Sequence, residues 1–381
     1  MNQKELNELR RRFRLDRGIN HIYGCYVNST KEIIAHIDTS LGIMGEEEGE
    51  LYLKVLKKAL SGALGKNVLD ISFSTQQVVD SEEHRLLQTL RTTLLEDTQA
   101  REALYQRIIQ ALDMGESNYL ILLAAAAYDV PHRGKDGAVH TDESDEVFRY
   151  FVCSICPVKD ATLALRYDTG AKTFHSASSG QTVTAPDMGF LFPTFDHRTT
   201  NLYNALFYSR STDTVPSEVI DALFRVEPPM SPLQQKNAFG TALGDALESE
   251  CSYDVVQSVH EQVRTRVAEH KESRDPEPLE LSLREVEQIL ENSGVPSDKV
   301  LAFHQECEKQ YGENTALNPH NIVEHKKFEI QTPEIKISVA PEFSYLVETR
   351  VIDGRKFLLI PADEGVEVNG IGVTIASEAE N

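Results

Sequence analysis

Ten consecutive residues carry the densest chemistry in the chain: Phe192-Pro193-Thr194-Phe195-Asp196-His197-Arg198-Thr199-Thr200-Asn201. An imidazole beside a carboxylate can move protons, and a guanidinium can steady an anion. Asp196, His197 and Arg198 are therefore candidates for a hydrolase-like cleft, with His197 as acid–base and Arg198 as anion clamp. Asp129 joins them as base or metal ligand, because it ends the apolar run 119–128 and the end of a buried strand projects side chains into clefts. The competing reading makes Asp196 a helix cap, followed by Leu202, Leu206 and Phe207 at helical spacing. No G-x-S-x-G nucleophile motif accompanies the segment, and Ser179-Gly180 lacks the required strand–turn–helix context.

Cys153-Ser154-Ile155-Cys156 has the spacing of a redox pair or half a zinc site. It sits at the end of an expected strand with Pro157 after it, and no second CxxC, CxxH or HxxxH completes a zinc set. Core packing is the expectation. Leu60-Ser61-Gly62-Ala63-Leu64-Gly65-Lys66-Asn67 has too few residues between its glycines for a phosphate loop and no Ser or Thr after Lys66, so it reads as a helix stop. The polar stretch 129–146 is rich in His and carboxylates but matches no metal loop. No cofactor or metal is implied. Arg10, Arg11, Arg12 and Arg14 could bind nucleic acid or an acidic partner, or acidic neighbours within the fold.

The chain has 381 residues, 40% hydrophobic and 26% charged, which suits a soluble globular protein of two or three domains. Its formal charge of −22 disfavours unaided wrapping of phosphates. The longest apolar run is too short for a membrane helix, the N-terminus has no signal-like apolar core, and five scattered cysteines do not form a disulfide framework. A reducing cytoplasm is expected.

The elements that must position these residues suggest an α+β fold. A mixed α/β domain is expected over 1–212. It opens with an amphipathic helix at 4–14, and strands follow near 19–27, 32–37 and 68–74. Helices are expected at 46–60, 82–95 and 98–113, and further strands at 119–126, 147–156 and 189–195. A polar loop, 131–145, should separate two of these strands, and Asp168-Thr169-Gly170 marks a hairpin. A helical segment is expected over 213–270, and the charged, Pro-containing 271–280 as a linker. Ser282 and Glu285 form a capping box that opens the last part, 281–381, a helix pair plus a small antiparallel β module. Within that module Asp353-Gly354 and Asn369-Gly370 are hairpin signals.

At Gly24-Cys25-Tyr26-Val27, Tyr128-Asp129-Val130-Pro131, Cys153-Ser154-Ile155-Cys156-Pro157-Val158, Gly189-Phe190-Leu191-Phe192-Pro193 and Val347-Glu348-Thr349-Arg350-Val351-Ile352-Asp353-Gly354 the chain resembles the bacterial domain of unknown function 4317 family, from Clostridia and related Firmicutes. The likeness spans nearly the whole chain. It implies a cytoplasmic bacterial protein and transfers no site. The order of a helical stretch, then 327–337, then a β module with a DG turn is also similar to the end of bacterial nucleoid-associated proteins of the 37-kilodalton type. Three functions follow as expectations: a non-enzymatic interaction protein with a protein partner, a nucleic-acid binder using the N-terminal arginines, or a hydrolase using Asp129, Asp196, His197 and Arg198.

Overall fold

A computed structural model describes residues 1–133, 139–160, 164–177, 180–312, 316–363 and 365–375. Residues 134–138 of the expected polar loop, Ser179 and the tail after Ile375 lie outside the described residues. The fold is α+β and divides into two compact units: Met1–Gln234 with Asp275–Pro278, and Gln235–Arg274 with Leu279–Asn381.

The first unit opens with α1 (Gln3–Arg10), β1 (His21–Val27), β2 (Ile33–Ser40), α2 (Glu46–Lys58) and β3 (Val68–Ser72). Three helices follow, α3 (Thr75–Asp80), α4 (Glu82–Thr92) and α5 (Thr98–Ala111), then the long strands β4 (Asn118–Arg133) and β5 (Val139–Asp160). Next come β6 (Ala164–Asp168), β7 (Thr173–Ala177), β8 (Gln181–Val183), β9 (Met188–Phe192), β10 (Thr194–Asp196), β11 (Thr199–Asn201), β12 (Asn204–Ser209) and α6 (Ser217–Phe224). An antiparallel sheet runs in the order β2-β1-β4-β5-β9-β12-β3, with β8 against β5.

Both faces of this sheet are covered, which explains why its central strands read as continuous apolar runs. On β4, Tyr119, Ile121 and Leu123 pack with α4, α5 and α6, while Leu120, Leu122, Ala124, Ala126, Tyr128 and Val130 pack with α1 and α2. At Gly189 on β9 a Cβ would lie 2.4 Å from the Cys153 carbonyl oxygen and 2.8 Å from Ala59 Cβ, so this close approach requires glycine.

Two expectations are corrected. The polar stretch 131–145 is not wholly a loop. Pairing of β4 with β5 continues through Pro131↔Ser144 to Arg133↔Val139, because backbone pairing across a hairpin does not need apolar side chains. Leu202, Leu206 and Phe207 are not in a helix. Leu202 lies in the turn before β12, and β12 pairs with β3 and β9 while burying Phe207 in the core on one face and Leu206 in the core on the other. α3, capped by Ser74 and Gln77, was not expected.

The second unit contains most of α7 (Pro232–Leu247), then α8 (Tyr253–Ser273), α9 (Leu283–Asn292), α10 (Ser297–Tyr311) and α11 (Pro319–Ile322). Phe239, Leu247, Val259, Val263, Leu290 and Phe303 form its core. Three two-stranded sheets follow: β13 (Phe328–Gln331) with β14 (Lys336–Val339), β15 (Glu348–Ile352) with β16 (Arg355–Leu359), and β17 (Glu367–Val368) with β18 (Ile371–Gly372). The turn signals hold: Asp353 and Gly354 have φ of 50° and 77°, and Asn369 and Gly370 have 53° and 78°, as tight hairpins require.

Candidate functional site

The 192–201 segment folds as a hairpin, β10 against β11, with the pairs Thr194↔Asn201 and Asp196↔Thr199. His197 and Arg198 form its turn at φ of 48° and 64°. Left-handed backbone is uncommon for such residues and must be held in place by their surroundings. Asp196 supplies part of that hold. Its Oδ2 accepts from Thr194 Oγ1 at 2.8 Å and Asn201 Nδ2 at 2.6 Å, and its Oδ1 lies 2.5 Å from the Met1 amine. Burial disfavours the charged form, yet the amine, Asn201 and Thr194 keep the carboxyl below its ordinary range.

Arg198 is drawn toward α1. Its backbone N–H donates to Glu5 Oε1 at 3.1 Å, Nη1 donates to Glu8 Oε2 at 2.8 Å, and Nη2 donates to the Pro131 oxygen at 3.3 Å. Glu5 also closes the capping box with Asn2 that starts α1. An eight-residue helix is not stable by itself in water. This one is held by burial of Leu6 and Leu9, each contributing about 1.5–3 kcal/mol, and by these polar ties.

Asp129 does not join this group. Tyr128 and Val130 point into the core beneath α1 and α2, so alternation puts the exposed Asp129 on the opposite face of the sheet. Asp196 and Arg198 share one neighbourhood, His197 is exposed at the turn, and Asp129 faces away. The four do not converge on one cleft.

The N-terminal arginines divide. Arg10 donates to the Leu60 carbonyl oxygen through Nε at 2.7 Å and to that of Gly62 through Nη2 at 2.8 Å, satisfying carbonyls just past α2. Arg12 lies 4.0 Å over the Tyr128 ring and donates to the Arg17 carbonyl oxygen at 2.9 Å. Arg11 and Arg14 are exposed, and Arg14 shares a groove with Glu47 and Glu50. Cys153 and Cys156 project to opposite faces of β5 into two different cores, so they cannot bond to each other or hold one ion. Burial pushes the Cys156 thiol up to about 12. Among the described residues no three His, Cys, Asp or Glu side chains come together as metal ligands, and no helix is long and apolar enough to cross a membrane.

One polar cluster escaped the sequence reading. Asp38 bridges His21 Nε2 at 2.7 Å and Arg101 Nη2 at 3.2 Å beside a cavity of about 470 Å³ that His36, Glu102 and Tyr105 also line. Arg101 lies 4.1 Å over the Tyr23 ring and also donates to Thr98 and to the Leu95 carbonyl oxygen. Leu94 and Leu95 have φ of 50° and 70°, so Arg101 braces a strained connection between α4 and α5. The available signal was the i, i+2 spacing of His21, Tyr23 and His36, Asp38 on paired strands.

An uncovered apolar surface lies in the C-terminal module. Its root is fixed: Phe328 packs edge-on against Tyr253 and His260 of α8, and Tyr253 Oη donates to the Ser344 carbonyl oxygen at 2.9 Å. Beyond that root, Ile335, Ile337, Val351, Phe357 and Leu358 line a cavity of about 660 Å³, with Arg350 and Lys356 also lining it. Val351 is 69% exposed and Ile335 59%. A two-stranded hairpin is marginal in water, and its unpaired edges and apolar face invite a covering element. The sequence signal was the run Phe357-Leu358-Leu359-Ile360, apolar at both parities where a strand with one solvated face alternates.

Residues 1–371 match the model of the family described as a domain of unknown function (DUF4317). The chain belongs to that family. The match covers parts of both units of this DUF4317 chain and reaches the first residue of β18. No curated protein matches it.

Proposed function

We propose that this DUF4317 chain is a non-enzymatic interaction protein of the bacterial cytoplasm, whose C-terminal β module binds a protein partner. The observation that carries this reading is the uncovered groove of Ile335, Ile337, Val351, Phe357 and Leu358 on hairpins too small to be stable by themselves. Exposed strand edges next to an apolar groove suit an added strand, in which backbone hydrogen bonds give affinity and alternate side chains give specificity. The dispersal of Asp129 from Asp196 and Arg198, and the ties of Arg198 to Glu5 and Glu8, speak against the hydrolase reading. The division of the arginines speaks against the nucleic-acid reading.

Size-exclusion of a native cell extract tests it. The chain should elute well above its own 42.7 kDa, and Val351→Glu with Phe357→Glu should return it to the monomer position. Elution of both proteins at the same position would overturn the proposal.

A further inference from the structure

We infer that the groove is filled by a second copy of this chain through its segment 366–375, an inference that rests on the partner-binding reading above. Charge favours this occupant. Arg350 and Lys356 line the groove, no carboxylate among the described residues does, and Arg350 also meets Glu348 at 2.7 Å. The segment carries Glu367, follows Asp363 and Glu364, and precedes Glu378 and Glu380 in the sequence.

Its apolar pattern fits as well. Ile371, Val373 and Ile375 alternate, so in an extended strand they share one face that can lie on Ile335, Ile337 and Val351. These side chains are themselves uncovered: Ile371 is 69% exposed and Ile375 59%. The segment's own pairing consists of Glu367↔Gly372, Val368↔Ile371 and a bond from the Val373 N–H to the Val366 carbonyl oxygen at 2.8 Å, a short hairpin that exchange for a longer strand would replace. In the structure the segment lies outside its own chain's groove. Reciprocal exchange places the same patch on both subunits and closes as a two-fold dimer rather than an open filament.

The test uses the purified full chain. Sedimentation equilibrium should give twice the chain mass of 42.7 kDa. Lys356→Glu should raise the dissociation constant at least about tenfold, and Glu367→Lys added to it should restore much of the affinity. On a Cys251→Ser background, Thr349→Cys chains mixed with Val373→Cys chains should form an inter-chain disulfide that neither variant forms by itself. A 42.7 kDa particle at all concentrations would overturn the inference. So would a dimer indifferent to the charge exchange, or a disulfide that forms only when both cysteines share one chain. A monomer whose position 357 still cross-links to a different protein in cells would overturn the self-exchange and leave the partner-binding reading standing. A monomer with no such cross-link would overturn both.

Discussion

Arg198 donates from Nη1 to Glu8 Oε2 at 2.8 Å, joining the β10–β11 turn to the helix that opens the chain. A residue with the chemistry of an anion clamp is thereby a strap. Its partners are carboxylates and a carbonyl of the same unit, and its left-handed backbone is held by the contact with Glu5. Arg198→Ala should lower stability by about 1–3 kcal/mol, the cost of losing charge-assisted hydrogen bonds. Amide exchange should speed up in α1 before it does in β4 or β5. Unchanged stability and α1 protection would return Arg198 to the list of functional groups.

Arg101 should behave as a second strap. Its planar fork serves Asp38, Thr98 and Leu95 while stacking on Tyr23, a set that a lysine cannot match. Arg101→Ala and Arg101→Lys should both destabilise the first unit by about 2–3 kcal/mol in urea titration. Full rescue by lysine would mean that charge, and not the brace, is what matters.

The cysteines give a chemical test of both units. Cys25, Cys153, Cys156 and Cys307 are buried, and burial pushes Cys25, Cys156 and Cys307 up to about 12. A thiol reagent at neutral pH should label half-buried Cys251 in the native chain and reach all five after denaturation. Rapid labelling of Cys153 and Cys156 together, or a zinc ion retained with them, would contradict the buried placement.

The second unit should weaken in acid. Burial, then Lys236 and His325, push His260 down to about 4, against Glu324, which raises it. The unfolded chain takes up this proton near pH 6.5 while the folded chain refuses it until about 4. The stabilisation is complete above pH 6.5 and falls as the pH drops through this window, by up to about 3 kcal/mol. His260→Phe keeps a ring against Phe328 and should flatten the pH dependence of unfolding in that window. An unchanged slope would assign it to other groups.

What was legible in the sequence had local causes. Asp353-Gly354 and Asn369-Gly370 adopt the positive φ that these residues allow, and Ser282 with Glu285 caps α9 through mutual hydrogen bonds. What was not legible depended on distant chain. Arg198 turns the chain where Glu5 and Glu8 of α1 hold it, and neither is a turn signal. Ala205, Leu206, Phe207 and Tyr208 are consecutive buried residues, and such a run does not distinguish helix from strand until β3 and β9 pair with it. Asp129 ends an apolar run as expected, but strand parity sends it away from Asp196.

The partner-binding role is tested most directly at Phe357, 42% exposed in the groove. The residue would be replaced by a photoreactive phenylalanine analogue in the full chain in living cells, with the same replacement at Tyr203, 45% exposed in the first unit, as control. Irradiation should give a discrete protein adduct from position 357 and none from position 203. No adduct at 357, or equal adducts at both positions, would contradict the account.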